Sequence, residues 1–142
     1  MKRLCNSPAR LIYRTQTYQG RTGEKKGFRT RECAELITTA HRQLDGAPLI
    51  LVWDNASTHH AKPLREFCHR NSDWLTIVKL PLYAPDLNPA EGVWTHLKKS
   101  LANLAPRAIN DLTSVVKHRL RSVQHRPEIL DGFIAGLGLE PP

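Results

Sequence analysis

Three stretches of the chain have the apolar pattern of β-strands. Leu49–Trp53 reads LILVW, an unbroken apolar run typical of a strand buried on both faces of a covered parallel sheet. Trp74–Leu80 (WLTIVKL) is a second apolar segment. Arg10–Tyr18 (RLIYRTQTY) is rich in β-branched and aromatic residues with partial alternation. The pattern predicts a strand at each of these places.

Helical periodicity fills the intervals between and after these strands. Thr30 is a candidate N-cap for a helix whose apolar face runs to Leu44, before the helix-stopping Asp45-Gly46. Three further helices are predicted, over Lys62–His69, Ala90–Leu104 and Ile109–Val123. The last of them pairs an apolar face with a basic one. The closing segment ILDGFIAGLGL contains glycines that are expected to break a helix.

The order of these elements predicts an α/β fold in one domain. Strands alternate with helices, and we find no internal repeat, linker or low-complexity tract in the 142 residues. We expect a core at about 10–125 and a C-terminal helical tail at about 126–142. PLYAPDLNP is expected to be a rigid loop without regular structure, in which Asp86 favours the turn and Asn88 is a natural N-cap.

Composition narrows the class of protein. The formal net charge is +8 and the pI is about 9.8. This charge favours a polyanionic partner such as nucleic acid, and the alternative explanation is a basic surface that is only solvated. Three widely spaced cysteines (Cys5, Cys33 and Cys68) favour a reducing cytosol over a disulfide framework. The apolar runs are too short to cross a bilayer, and the N-terminus does not resemble a secretory signal.

Two carboxylates occupy positions where α/β folds gather function. Asp54 directly follows LILVW, and Glu91 lies near the first turn of the helix after PLYAPDLNP. If the loop brings them together, they suit Mg²⁺, which takes oxygen ligands. The structural alternatives are that Asp54 caps the following turn and that Glu91 only complements the positive helix N-terminus.

The histidines near Asp54 allow several interpretations. His59, His60, Cys68 and His69 are zinc-ligand types, but their spacing matches no recognised zinc motif. A histidine just beyond the strand could hydrogen-bond a phosphate or orient a water, or the pair could be an ordinary surface feature. The chain has no G-x-S-x-G elbow, P-loop or G-x-G-x-x-G turn, which disfavours acyl transfer, NTP hydrolysis and dinucleotide binding.

Two motifs together resemble the endonuclease domain of DDE-superfamily transposases, in the bacterial insertion-sequence branch related to mariner elements. In that family an apolar strand ends in Asp-Asn, followed within a few residues by His, as LILVWDNASTHH does here. The third acidic residue of the family lies in a Y-x-P-x-L-N-P-x-E-x-x-W stretch, which here reads YAPDLNPAEGVW. The resemblance extends less sharply from about Arg10 to Leu139.

The resemblance implies an RNase H-like mixed sheet flanked by helices, and a function in DNA transposition. Asp54 and Glu91 would be the second and third acidic residues, catalytic and ligating Mg²⁺ or Mn²⁺, with two ions in an intact site. The partner would be DNA, at transposon ends and target, in the bacterial cytoplasm and at the nucleoid when bound. The residues expected to contact DNA are Asn55, His59, Lys98, Lys99, Arg119 and Arg121.

The chain departs from the family at the first acidic residue. That residue belongs to a strand upstream of RLIYRTQTY, and MKRLCNSPA contains no Asp or Glu, while Asp45 follows a helix. A helix-turn-helix region is also absent. We therefore expect a C-terminal portion that lacks the first strand or strands and exposes an apolar sheet edge. Its strand cleavage and transfer would be impaired unless a separately encoded N-terminal part completes the site. A homodimer is the other expected protein partner. The alternatives are a non-catalytic basic DNA-binding module and a decayed relic.

Overall fold

The computed structural model describes residues 9–54, 56–81, 84–102, 104 and 108–138. Within them the fold is α/β, as predicted. It has two strands, β1 (Leu49–Trp53) and β2 (Leu75–Lys79), and 3₁₀ turns at Ser57–His60 and Pro85–Leu87. The helices are α1 (Thr30–Gln43), α2 (Lys62–Arg70), α3 (Pro89–Leu101), α4 (Ile109–Gln124) and α5 (Pro127–Ala135). The chain divides into two compact units. We call Tyr18–Ala84 the sheet unit, and Met1–Thr17 with Pro85–Pro142 the helical unit.

The sheet unit is built on two parallel strands. β1 and β2 pair from Leu49 opposite Leu75 to Trp53 opposite Lys79, so the predicted parallel arrangement of these strands is confirmed. Ile37 of α1, Leu64 of α2 and Leu75 form the buried centre of its core. The sheet thus has one face packed under α1 and α2, and both strands end at the same edge.

The prediction that β1 is buried on both faces is wrong. Its residues alternate between partly buried and exposed, with Ile50 at 65% and Val52 at 50% exposure. Val78, the register partner of Val52, is exposed beside it. The reason is that α1 and α2 cover only the face carrying Leu49, Leu51 and Trp53, because side chains alternate across a strand. The sheet unit therefore presents an apolar surface on its other face.

The helical unit packs α3, α4 and α5 together around buried leucines and a valine: Leu97, Leu120, Val123 and Leu130. Gly92 of α3 allows a close approach to α5, since a Cβ added there would lie 2.7 Å from Cγ of Phe133. The expected break at the C-terminal glycines occurs only at the end of α5. Gly132 lies inside α5, since a single glycine destabilises a helix by only about 1 kcal/mol. Pro127 is well placed in the first turn of this helix.

The predicted strand over Arg10–Tyr18 is not formed, and residues 9–18 carry no regular secondary structure. A strand needs a neighbouring backbone, whereas this segment bonds to side chains of α4. Gln124 Nε2 donates to the carbonyl oxygen of Leu11 at 2.8 Å, and the hydroxyls of Thr17 and Thr113 lie 3.2 Å apart. Tertiary partners have therefore overridden the local β-propensity.

The remaining boundaries follow the sequence closely. The helices predicted from Lys62 and Ile109 are confirmed, whereas α3 ends three residues before the predicted Leu104. The helix predicted at Thr30 is confirmed too, but its N-cap is Arg29, and Thr30 is already helical. PLYAPDLNP was expected to lack regular structure, yet Pro85–Leu87 form a 3₁₀ turn; Leu82 and Tyr83 lie outside the described residues. Among the residues described, no helix has the length and apolar character needed to cross a membrane.

Candidate functional site

Asp54 is the first residue after β1, at the carboxyl end of the strand. Its Oδ1 accepts a hydrogen bond from the backbone N–H of Ala56 at 3.0 Å, which closes an Asx turn. The turn-forming role that the sequence left open is therefore real. It does not exclude ligation, because the side chain is 58% exposed.

His59 holds Asp54 from the following 3₁₀ turn. Its Nδ1 lies 3.1 Å from the backbone oxygen of Asp54 and 3.0 Å from Oδ1 of the same residue. A carbonyl oxygen only accepts, so Nδ1 carries the proton and Nε2 is the ring nitrogen left for a further partner. The imidazole also stacks on the Trp53 indole, with centroids 4.4 Å apart and planes 5° from parallel. The side chain of His59 is therefore in direct contact with Asp54.

Trp53 is a site residue that the sequence did not reveal. The pattern of LILVW indicates a strand that belongs to the hydrophobic core, and Trp53 does pack against the core of the sheet unit. The same side chain also stacks against the His59 ring. The available signal was the aromatic residue directly before Asp54 with a histidine six positions later. The predicted DNA contact Asn55 lies outside the described residues.

Glu91 lies in the first turn of α3, in the helical unit. Asn88 caps this helix by accepting the Ala90 N–H at 3.1 Å, which confirms the predicted N-cap. Glu91 is exposed and lines an open cleft of about 780 Å³ along α3 and α5. Asp86, His96, Lys99 and Phe133 also line this cleft. A carboxylate there is favoured by the helix N-terminus and remains accessible to a ligand.

The other predicted DNA contacts are exposed on two helices of the helical unit. Lys98 and Lys99 lie in the last turn of α3, and Lys99 shares the Glu91 cleft. Arg119 and Arg121 lie on the solvent side of α4, whose Leu120 and Val123 are buried. Their exposure leaves all four cations accessible to a phosphate backbone.

The two candidate ligands have the right donor chemistry for a hard divalent cation. The carboxylate of Asp54 contacts Ala56 and His59 through Oδ1, and Glu91 is open to its cleft. Mg²⁺ is commonly held by one or two carboxylates together with substrate phosphates and waters, so each of these carboxylates is a suitable ligand. Asp54 belongs to the sheet unit and Glu91 to the helical unit. Among the residues described, no three His, Cys, Asp or Glu side chains form a metal-holding group.

The acidic residues upstream of Asp54 all have local structural roles. Glu24 accepts two backbone N–H groups in its turn, Glu32 accepts the Arg29 N–H at the start of α1, Glu35 pairs with Arg31 at 2.8 Å, and Asp45 has φ 54° in the turn after α1. None of these positions lies at the carboxyl end of a described strand. Residues 9–53 therefore contribute no third carboxylate of the Asp54 kind.

Comparison with known proteins identifies the family. Residues 12–114, well over half of the chain, match the family model of the DDE superfamily endonuclease, and this range includes Asp54 and Glu91. The uncharacterised protein y4pE/y4sA of Sinorhizobium fredii is 32% identical over 74 residues, which cover 52% of this chain and 50% of the relative. The chain thus spans about half the length of this curated relative. On the extent of the family match, the chain belongs to the DDE superfamily endonucleases.

Proposed function

We propose that the chain is a transposase endonuclease domain that cleaves and joins DNA strands, with Asp54 and Glu91 as its metal-ligating carboxylates. DDE superfamily endonucleases act on DNA and generally use divalent metal ions. The observation that carries the proposal is the exposed Asp54 at the end of β1, held by His59 within a family match that also includes Glu91.

Mg²⁺ or Mn²⁺ is the proposed cofactor. A bound divalent ion would polarise the scissile phosphate and make a water or a 3′-hydroxyl a better nucleophile. The task of the protein is then orientation. Ala56 and His59 fix Oδ1 of Asp54, and Asn88 fixes the helix start that carries Glu91. Lys98, Lys99, Arg119 and Arg121 are exposed cations suited to the phosphates of bound DNA.

We further propose that the fold is RNase H-like, in the branch related to mariner elements, with β1 and β2 as two neighbouring strands of its sheet. The long motif YAPDLNPAEGVW supports the branch, and the parallel register of β1 and β2 supports the sheet. The family match runs across the sequences of both compact units, which supports one domain with a core at about 10–125.

Impaired catalysis is the second part of the proposal. Glu24, Glu32, Glu35 and Asp45 have local partners or turn positions, which leaves Asp54 and Glu91 as the two candidate ligands of a three-carboxylate set. Fewer carboxylates should weaken ion binding and position the ion less well. We propose that a separately encoded N-terminal part supplies the third carboxylate, and that the partners of the chain are this part or a second copy of the chain.

A plasmid-nicking assay tests this function. The chain is incubated with supercoiled DNA and Mn²⁺ or Mg²⁺, beside Asp54→Asn and Glu91→Gln variants that preserve side-chain size. We expect slow, metal-dependent nicking that both substitutions abolish. Nicking that is unchanged in both variants would remove these residues from the mechanism. Fast nicking by the unaltered chain would contradict the impairment.

A further inference from the structure

The outer face of α2 is lined by polar side chains, most of them charged, and lies next to Asp54 and His59. Lys62, Arg65, Glu66, His69 and Arg70 are all exposed, and they line a shallow depression of about 410 Å³ on the sheet unit. Their spacing places them on one side of the helix. The other side is fixed in the core by Leu64, which is fully buried, with Phe67 and Cys68 packed nearby.

The positive charge on this face is poorly neutralised within the protein. Lys62 pairs with Glu66 only at 3.8 Å, between two exposed side chains, and such pairs contribute little. The guanidinium groups of Arg65 and Arg70 form no ion pair or hydrogen bond with any residue that the structure describes. On α1, by contrast, Arg31 binds Glu35 at 2.8 Å.

Helix stability alone does not account for this arrangement. His69 and Arg70 lie in the last turn, where the helix dipole favours cations. Lys62 is in the first turn, which contains no acidic residue, and the dipole disfavours a cation there. A cationic stripe that continues to the unfavourable end of the helix indicates an external anion.

We propose that this face of α2 binds the phosphate backbone of duplex DNA and delivers it to Asp54. The stripe from Lys62 to Arg70 is about 12 Å long at 1.5 Å per residue. Aligned with the duplex axis, it spans about three to four phosphate positions of one strand, which are spaced about 3.4 Å along that axis. Only Ala61 separates α2 from the 3₁₀ turn that carries His59, so DNA on α2 runs toward Asp54. The inference rests on the proposed function and adds a DNA-positioning surface to it.

The test is the salt dependence of duplex binding by the full chain. Arg65→Gln with Arg70→Gln is compared with Arg31→Gln with Arg42→Gln, which removes the same charge from exposed positions of α1. The logarithm of the binding constant falls linearly with the logarithm of the salt concentration, and each lost phosphate contact makes this slope less steep by about 0.9. For the α2 variant we expect the steepness of this slope to decrease by about 2. We also expect it to bind duplex DNA about tenfold or more weakly than the unaltered chain at 0.1 M salt. The α1 variant should keep the slope of the unaltered chain.

Equal losses in both variants, an unchanged α2 variant, or no binding by the unaltered chain would overturn the inference. So would a loss confined to single-stranded DNA or to anionic phospholipid vesicles. Circular dichroism melts check that both variants fold. Asp54→Asn tests the proposed function separately, by its effect on nicking. If it leaves nicking intact, the proposed catalytic role fails, whereas an unchanged α2 variant removes only the α2 surface.

Discussion

The Nδ1 atom of His59 lies 3.0 Å from Oδ1 of Asp54, and the same nitrogen donates to the Asp54 backbone oxygen at 3.1 Å. The ring that makes both contacts is itself stacked on Trp53. A carboxylate that is more than half exposed is thus held by a side chain anchored to the sheet. In metal sites, partners of this kind orient the ligating group and raise its affinity for the ion.

Replacing His59 with alanine should weaken metal binding. The loss of an orienting partner typically costs about 10- to 100-fold in metal affinity, and we expect a loss in that range for His59→Ala. The measurement is a titration with Mn²⁺, following the free ion by electron paramagnetic resonance. His60→Ala is the matched control, because His60 is the next residue and is exposed. Equal Mn²⁺ affinities in the two variants would show that His59 does not position the ligand.

Two helical glycines should respond to alanine in opposite directions. In Gly92→Ala the new methyl group meets the Phe133 ring, so we expect about 1–3 kcal/mol of destabilisation. Gly132→Ala meets nothing within 4 Å and should stabilise by up to about 1 kcal/mol. Urea unfolding followed by circular dichroism measures both. Part of the Gly92→Ala loss should be recovered by adding Phe133→Leu, and a neutral Gly92→Ala would contradict the close α3–α5 packing.

The sheet unit should depend strongly on Leu64. This side chain is fully buried against Ile37 and Leu75, so Leu64→Ala is expected to cost about 2–5 kcal/mol of unfolding free energy. Leu87→Ala makes the same chemical change at an exposed residue and should shift the free energy by less than about 0.5 kcal/mol. Thermal melts of the two variants provide the comparison. Similar melting temperatures for both would argue against this core.

The thiols of Cys33 and Cys68 should react slowly at pH 8. Burial raises the pKa of both thiols, with Glu32 adding to the effect at Cys33, so less thiolate is present than for an exposed cysteine. Reaction with a disulfide reagent, in a Cys5→Ser background, should be slower than for a free thiol and should accelerate at higher pH. The folded state retains these protons longer than the unfolded state, so stability should fall as pH rises beyond the ordinary thiol pKa. A rate equal to that of a free thiol would contradict the burial.

The sequence predicted the elements whose signals are local. β1, α1, α2 and α4 follow from the apolar pattern, and Asn88 acts as the predicted N-cap of α3. Prediction from the sequence failed where contacts with residues distant in the chain determine the local structure. Residues 10–18 bond to α4 instead of to a strand, and β1 lacks a cover on the face of Ile50 and Val52. Asp54 and Glu91 are predicted as site residues from motifs, whereas the stacking of His59 on Trp53 is visible only in the fold.

Iron-directed cleavage of the polypeptide tests the central claim most directly. Fe²⁺ occupies sites made for Mg²⁺ or Mn²⁺, and with ascorbate and peroxide it generates radicals that cut the backbone beside its ligands. If Asp54 and Glu91 hold the metal, fragments should end near residues 54 and 91. Mn²⁺ should suppress both cuts, and Asp54→Asn and Glu91→Gln should each reduce both. Cuts at other places, or cuts that neither substitution affects, would contradict the account.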